Sequence, residues 1–346
     1  MTNISIDKKK YKLLICHHYL PEENLGGITS VMRNMDPFFR EVFDVTYMTL
    51  PKKWQVGSTR ASYFLYMWLH KERLKKYDFI LSHIPESSYW VVKSCVPCAH
   101  VYHGDGHPMK GGSWIKKPFV AFYDHIFKVI NTRCPIIYCV GTKRNPSDKK
   151  LYNPLMQDVE PVPIDQRKGF VFTGRLVALK RVERLIGIYA KLPDSIRKDN
   201  PFYIIGDGYC RNALELMVKS YKLSDQVLFL GNMPNEHIMK EVSTKKLLLM
   251  ASTTEGFPTS IAEAFSVGVP AISTAVGSVA TVVKNGVNGY YLHKDFDDMD
   301  YVKCIENVLV DYPHFVQGAL ESAKLFNAER VTRGVIEDIH TMMGWK

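Results

Sequence analysis

No apolar run in this chain approaches the ~18 to 20 residues that a membrane-spanning helix needs, which excludes a helical span. The N-terminal apolar stretch is only Leu13-Leu-Ile-Cys16, followed by His17-His18, and it reads as a first strand rather than a signal peptide. A cytoplasmic protein is therefore expected. Cysteine is sparse: seven occur, an odd number without a dense framework, so reduced thiols are expected and a disulfide scaffold is excluded. Cys95-Val-Pro-Cys98 is a lone CxxC with no second pair, which argues against a zinc or redox site. Internal repeats and low-complexity tracts are absent. With 46% hydrophobic residues and ordinary glycine, proline and aromatic usage, the 346-residue chain is globular and long enough for two domains.

The net charge of +10 is unevenly placed. Residues 1–150 hold 23 basic and 12 acidic residues, and residues 151–346 hold 22 basic and 23 acidic. A one-sided basic surface implies a polyanionic partner: nucleic acid, anionic lipid or a phosphorylated acceptor. Nucleic acid is disfavoured by the absence of any nucleic-acid motif and by the regular alternation of strand and helix patterns. Strands are read near 11–16, 42–48, 77–82, 99–102 and 136–140, then 170–173, 202–205, 227–230, 247–251 and 271–274. Helical stretches lie near 29–35, 62–76, 182–192, 211–221 and 236–244. Such alternation predicts two parallel, doubly wound α/β sheets. The polar stretch 153–168, with Pro154, Pro161 and Pro163, reads as the boundary.

Glu255 and Glu263 flank the most informative segment, Glu255-Gly-Phe-Pro-Thr-Ser-Ile-Ala-Glu263. A buried strand precedes it. After Pro258, Ile261, Ala264 and Phe265 have helical spacing, with Ser260 as N-cap. A strand, a turn and a helix start present free N–H groups and a positive dipole end to an anionic ligand. The two carboxylates could then bind sugar hydroxyls. A second reading stays open: Ser260-x-x-Glu263 is a capping box and Glu255 an ordinary loop residue. Arg175 and Lys180, after the strand 170–173, could grip a diphosphate or form a solvated basic loop. Gly206-Asp-Gly208 allows close backbone approach or makes a simple turn. The backbone near Asn232 and Met233 could meet a nucleobase edge.

In order, Gly-Arg-Leu-x-x-x-Lys, Gly-Asp-Gly, Val-x-Phe-Leu-Gly, Glu-Gly-Phe-Pro-x-x-x-x-Glu-Ala, Gly-x-Pro and Asn-Gly-x-x-Gly resemble the nucleotide-sugar domain of retaining glycosyltransferases of family 4, over residues 170–292. Each motif alone is weak, and six in order are specific. The resemblance implies a GT-B fold: two Rossmann-like domains facing a deep cleft. It implies an acceptor-binding domain at 1–155, a donor domain at 156–325, and a last helix at 326–346 returning to the first domain. Arg175 and Lys180 resemble the diphosphate-binding pair, Glu263 the ribose ligand and Glu255 the sugar contact. Backbone groups of Gly174, Gly206, Gly256, Phe257, Thr259 and Ser260 join them, whereas Pro258 has no N–H to offer. In the first half, Gly26-Gly27 resembles a phosphate-approaching loop, and His103, rather than nearby His107, resembles the histidine beside the donor sugar. The implied catalytic set is His103, Glu255, Arg175 and Lys180.

The resulting expectation is retaining transfer of a hexose from a UDP-sugar, or second a GDP-sugar, to a hydroxyl of a glycan or lipid-linked acceptor. Synthesis of a bacterial surface polysaccharide at the inner face of the membrane is the expected setting. No cofactor or metal is implied, because no Asp-x-Asp motif is read and Arg175, Lys180 and helix N-termini can stabilise the leaving diphosphate. The aromatic and basic stretches 62–76 and 110–128 suit an anionic membrane surface, or else are core with a rim of solvated lysines. Competing readings are a nucleotide-sugar epimerase or phosphorylase, and a non-catalytic polyanion-binding partner protein.

Overall fold

Several strands are unbroken apolar runs because both faces of each sheet are covered. Ile136-Ile-Tyr-Cys and Phe170-Val-Phe-Thr are buried at every position, as parallel sheets flanked by helices require. The structure is a computed structural model that describes residues 10–23, 27–104, 117–141, 143–156, 158–257 and 259–345. The chain divides into two units, Met1–Pro154 with Ala328–Lys346, and Leu155–Asn327.

The first unit runs β1 (Tyr11–Cys16), α1 (Gly27–Val42), β2 (Phe43–Met48), α2 (Thr59–Leu69), β3 (Phe79–Ser82), α3 (Pro85–Lys93), β4 (Cys98–Tyr102), α4 (Lys117–Arg133), β5 (Ile136–Cys139) and β6 (Lys149–Lys150). Its parallel sheet has the order β2-β1-β3-β4-β5-β6. The second unit runs β7 (Phe170–Thr173), α5 (Val182–Lys191), α6 (Asp194–Asp199), β8 (Phe202–Ile205), α7 (Arg211–Ser220), β9 (Val227–Gly231), α8 (Asn235–Ser243) and β10 (Leu247–Leu249). It continues through α9 (Thr259–Ser266), β11 (Ala271–Thr274), α10 (Val279–Val282), β12 (Gly289–Leu292), α11 (Asp298–Val310) and α12 (Tyr312–Ala323). Its order is β12-β11-β10-β7-β8-β9, again parallel. The last helix, α13 (Ala328–Met343), belongs to the first unit. There Asp338 accepts hydrogen bonds from Tyr138 (2.8 Å) and Lys149, and Trp345 stacks on Tyr11 with ring centroids 3.7 Å apart.

One position in each order matters for ligand binding. The strand sequence reverses direction between β1 and β3 in the first sheet and between β7 and β10 in the second. Loops leaving the carboxyl ends of such strands diverge and open a crevice. In the second unit Tyr301 ties the end of β10 to β11: its hydroxyl accepts from Met250 N (3.1 Å) and reaches the carbonyls of Met250 and Ile272. Arg167 is buried, and its guanidinium donates to the carbonyls of Val162, Val267 and Gly268, anchoring the proline-bearing strap.

Some elements differ from the sequence reading. The stretch 62–76 does not form one helix; α2 ends at Leu69 and a 3-10 segment follows at Lys71–Lys76. The His70 ring lies 2.9 Å from the Tyr66 carbonyl and competes for the helix's last acceptors. Helix α1 continues past the expected end through Pro37, held by buried Val31, Met32, Met35 and Phe39. The expected aromatic core on α2 is half right: Tyr63, Tyr66 and Met67 are buried, while Leu65, Trp68 and Leu69 are exposed.

Candidate active site

The loops after β7 and β10, the strands on either side of the second switch point, are laced together. Thr253 N donates to Leu179 O (2.8 Å). Arg181, in the left-handed conformation at φ 47°, donates from Nε to Ala251 O (2.6 Å) and from Nη2 to Lys294 O (2.9 Å). This lacing brings Lys180 Nζ within 2.5 Å of Glu255 Oε1, which also accepts from Ser252 Oγ at 2.7 Å. The two side chains are only 21% and 11% exposed. Lys180 is therefore not part of a solvated loop, and Glu255 is not an ordinary surface residue. Arg175 differs: it is exposed and its side chain makes no hydrogen bond or ion pair among the described residues, so its guanidinium is available to an incoming anion.

The capping-box alternative for Glu263 does not hold. Helix α9 already begins at Thr259, so Ser260 is inside it, and the Ser260 hydroxyl points to Met250 Sδ at 3.4 Å. The Glu263 carboxyl has no hydrogen-bond or ionic partner among the described residues, and burial pushes its pKa up to about 7 although part of the residue reaches the surface. A sequestered carboxyl without a donor is costly, and a ligand hydroxyl would relieve it. The first N–H groups of α9 have no partner within the helix, which leaves Thr259 and Ser260 suited to an anion. The turn carrying Glu255 and Gly256 is held from the next loop. Ser278 reaches Gly256 O from both N and Oγ at 3.1 Å, and a Cβ on Gly277 (φ 56°) would lie 2.1 Å from Glu255 O. Phe257 packs against Phe326 with centroids 5.6 Å apart. Pro258 lies outside the described residues. Gly277, Ser278 and Arg181 were assigned no role in the sequence reading; the available signal was a glycine or arginine directly after a strand-end loop.

Gly174 and Gly206 serve loop packing. Gly206 N is committed to Gly231 O (2.8 Å), and a Cβ there would lie 2.0 Å from Gly174 O. The close backbone approach that the Gly-Asp-Gly motif allows is made here between the β7 and β8 loops. Gly206→Ala should cost roughly 2–4 kcal/mol in denaturant unfolding, through overlap added to left-handed strain. Gly286→Ala, with φ 75° and open space around it, should lose only about 1 kcal/mol. Equal losses would show that the steric term is absent. Asn232 is exposed and Met233 half-buried on the loop after the edge strand β9. The expected absence of an Asp-x-Asp motif is wrong: two such spacings occur, Asp295–Asp297 and Asp298–Asp300. Asp297 caps α11 by accepting from Met299 N (2.7 Å), and Asp298 pairs with Arg184 (2.9 Å) and Lys191 (2.7 Å). Asp295 and Asp300 lie near His293 and Lys303, and all four follow the edge strand β12 rather than the switch point.

Residues 157–319 match the family model of Glycosyl transferases group 1. The second unit is a group 1 glycosyltransferase domain. N-acetyl-alpha-D-glucosaminyl L-malate synthase of Bacillus anthracis is 32% identical over 126 residues, 36% of this chain and 32% of that protein. The chain matches about a third of the length of the curated relatives. Among solved structures, Anabaena Alr3699/HepE in complex with UDP has a TM-score of 0.70 at 15% identity, covering 95% of this chain and 100% of that one. Sucrose-phosphate synthase of Thermosynechococcus elongatus reaches 0.75 at 15% identity, covering 97% and 100%. These likenesses show a GT-B fold with two Rossmann-like units. In the group 1 domain, Arg175, Lys180, Glu255, Glu263 and the start of α9 gather at the β7/β10 switch point, whereas Asn232 and Met233 stand two strands away.

Of the sequence candidates in the first unit, Gly27 opens α1, while Gly26, His107 and residues 110–116 lie outside the described residues. His103 follows β4, and its Nε2 is 2.8 Å from Nδ1 of His83, which follows β3. Burial pushes His103 down to about 3 and His83 well below its ordinary value, so both rings are neutral at physiological pH. His83 was not singled out in the sequence, although it directly follows a strand next to the switch point.

Proposed function

We propose that the protein is a retaining glycosyltransferase that moves a hexose-type sugar from a nucleoside diphosphate sugar to a hydroxyl of a glycan or lipid-linked acceptor. One observation carries this reading: a lysine–glutamate pair converges on a helix start at the sheet's switch point with an arginine and a carboxyl whose side chains have no partner among the described residues. Arg175, Lys180 and the N–H groups of α9 take up charge on the departing diphosphate, where preorganised donors lower the barrier most. Glu263 accepts ribose hydroxyls and Glu255 a donor-sugar hydroxyl. Neutral His103 lies beside the sugar. Metal independence is part of the proposal. UDP is the first choice of nucleotide, supported by the UDP held by the Anabaena relative, and GDP the second.

The acceptor side is proposed to work at an anionic membrane surface, in the synthesis of a bacterial surface polysaccharide. Exposed Leu65, Trp68 and Leu69 on α2 and Phe119 and Phe122 on α4 support this, with Lys71, Lys75 and Lys76 following α2. Phe64 packs on Phe122 at 5.3 Å and links α2 to α4. No described helix is long and apolar enough to cross a membrane, so attachment would be peripheral.

A melting panel with UDP, GDP, ADP, CMP and dTDP, with and without magnesium, tests the donor reading. Ligand at about 100 times its dissociation constant adds ~2.7 kcal/mol. One nucleotide should shift the melt without magnesium. No shift with any of them overturns the donor site, and a shift that needs magnesium overturns metal independence.

A further inference from the structure

The first unit holds a small hollow at the carboxyl ends of β3 and β4, beside the first turn of α1, of about 90 Å³. This is far below the roughly 300 Å³ at which small-molecule pockets begin, so it suits a single head group and not a nucleotide. Its lining includes Arg60, Arg144, His83, His100 and His103, and no aspartate or glutamate.

The two arginines are held differently. The Arg144 guanidinium carbon lies 3.7 Å from the centroid of the Tyr102 ring and 5.3 Å from that of Phe127. Its one side-chain hydrogen bond among the described residues goes from Nη2 to Gly104 O at 3.3 Å, and no carboxylate there pairs with it. Stacking fixes the plane of the guanidinium and leaves edge N–H groups to donate. Arg60 is pinned at one end, Nη1 donating to Glu86 Oε1 at 2.8 Å, and the same oxygen accepts from Tyr123 at 2.5 Å. Glu86 is buried and pairs with Arg60, whereas the Arg144 side chain has no carboxylate partner among the described residues; the buried Asp148 carboxylate accepts from the Arg144 backbone N–H at 3.0 Å instead.

The histidines add directional groups. His83 and His103 share one hydrogen bond, so each ring keeps its other nitrogen for a further partner. His100 is buried, bonded through Nδ1 to Ser88 Oγ (2.6 Å), and its Nε2 has no partner among the described residues. A stacked guanidinium with edge N–H groups to donate is the arrangement that an oxyanion completes, and in the tautomer that carries its proton on Nε2 the buried His100 ring adds one more donor.

We propose that this hollow binds an anionic group of the acceptor, a phosphate or a carboxylate, gripped by Arg144 and Arg60. The word acceptor rests on the transferase reading above; the anion site itself does not.

The test measures melting shifts with inorganic phosphate and with L-malate against chloride of matched ionic strength. The proteins are the wild type, Arg144→Gln, Arg144→Lys and the charge-neutral pair Arg60→Gln/Glu86→Gln, each also titrated with UDP. The wild type should be stabilised by at least one anion. Arg144→Gln and the double variant should lose at least tenfold in that anion's affinity, Arg144→Lys should retain part of it, and UDP binding should be unchanged throughout. Response to phosphate alone assigns a phosphorylated acceptor, and response to malate alone a carboxylated one. No shift in the wild type, or a shift that survives in Arg144→Gln, overturns the proposal. A parallel loss of UDP affinity also overturns it, by assigning the hollow to the donor. Should Arg144→Gln fail to fold, the double variant decides by the same criteria. Absence of any UDP shift in the wild type, with the anion shift intact, counts against the donor reading alone.

Discussion

Glu263→Gln should stabilise the ligand-free protein above about pH 7 and weaken its hold on the nucleotide sugar. The folded carboxyl is pushed up to about 7 by burial, from an ordinary 4.5. Below about pH 4.5 it is protonated folded or unfolded, and its contribution is constant. As the pH rises toward 7 the unfolded chain releases a proton that the folded chain keeps, so stability falls, by up to roughly 3 kcal/mol once the folded group ionises. Glutamine has the same shape and no charge, so it removes that loss. Ribose hydroxyls, by contrast, donate to the ionised form. Binding should therefore release a proton, and wild-type affinity for UDP-glucose should fall by nearly tenfold per unit as pH drops below about 7. Calorimetric titration between about pH 5.5 and 8 checks this, with a ligand whose diphosphate does not titrate in that range. A flat wild-type profile, or a glutamine variant that binds as tightly as the wild type at pH 8, would falsify the ribose role.

Lys180→Ala and Arg175→Ala should both lose about 10²-fold or more in turnover, and only the first should lose stability. Lys180 is held on Glu255 Oε1 at 2.5 Å, with Ser252 as that oxygen's other donor. Truncating it leaves a mostly buried carboxylate short of a partner, at a cost of about 1–3 kcal/mol. Arg175 is exposed and unpaired among the described residues, so its loss should change stability by less than about 0.5 kcal/mol. Adding Glu255→Gln to Lys180→Ala should restore part of the stability and none of the activity. Initial rates of sugar transfer and denaturant melts of the four proteins separate these effects. Full transferase activity in Arg175→Ala/Lys180→Ala would sink the proposed mechanism.

Much of the architecture was legible because buried parallel strands must be apolar on both faces, and runs such as Phe170-Val-Phe-Thr leave few alternatives. Strands β6 and β12 escaped notice for the opposite reason. Lys149-Lys150 and Gly289-Tyr-Tyr-Leu are short, partly exposed and at sheet edges, where one covered side suffices. In the site, Arg175, Lys180, Glu255 and Glu263 were visible as motif positions after strands. Their states were not visible. Ser260 and Glu263 have the spacing of a capping box, yet the helix starts a residue earlier and the box does not form. Asp297 and Asp298 each belong to an Asp-x-Asp pair, yet a helix cap holds the first and two basic side chains the second.

The sequence by itself determined two parallel α/β sheets, the strand-end positions of the charged groups and the excess of positive charge in the first half. These depend on local periodicity and composition, which no later packing alters. Tertiary structure alone decided that Lys180 meets Glu255 across 75 positions of chain, that the Glu263 carboxyl has no partner among the described residues, and that His83 meets His103. Each depends on which strands become neighbours at a switch point and how deeply a side chain is then buried. Hydrogen-bond partners and pKa values follow from that three-dimensional surrounding, and residue type and spacing do not encode it.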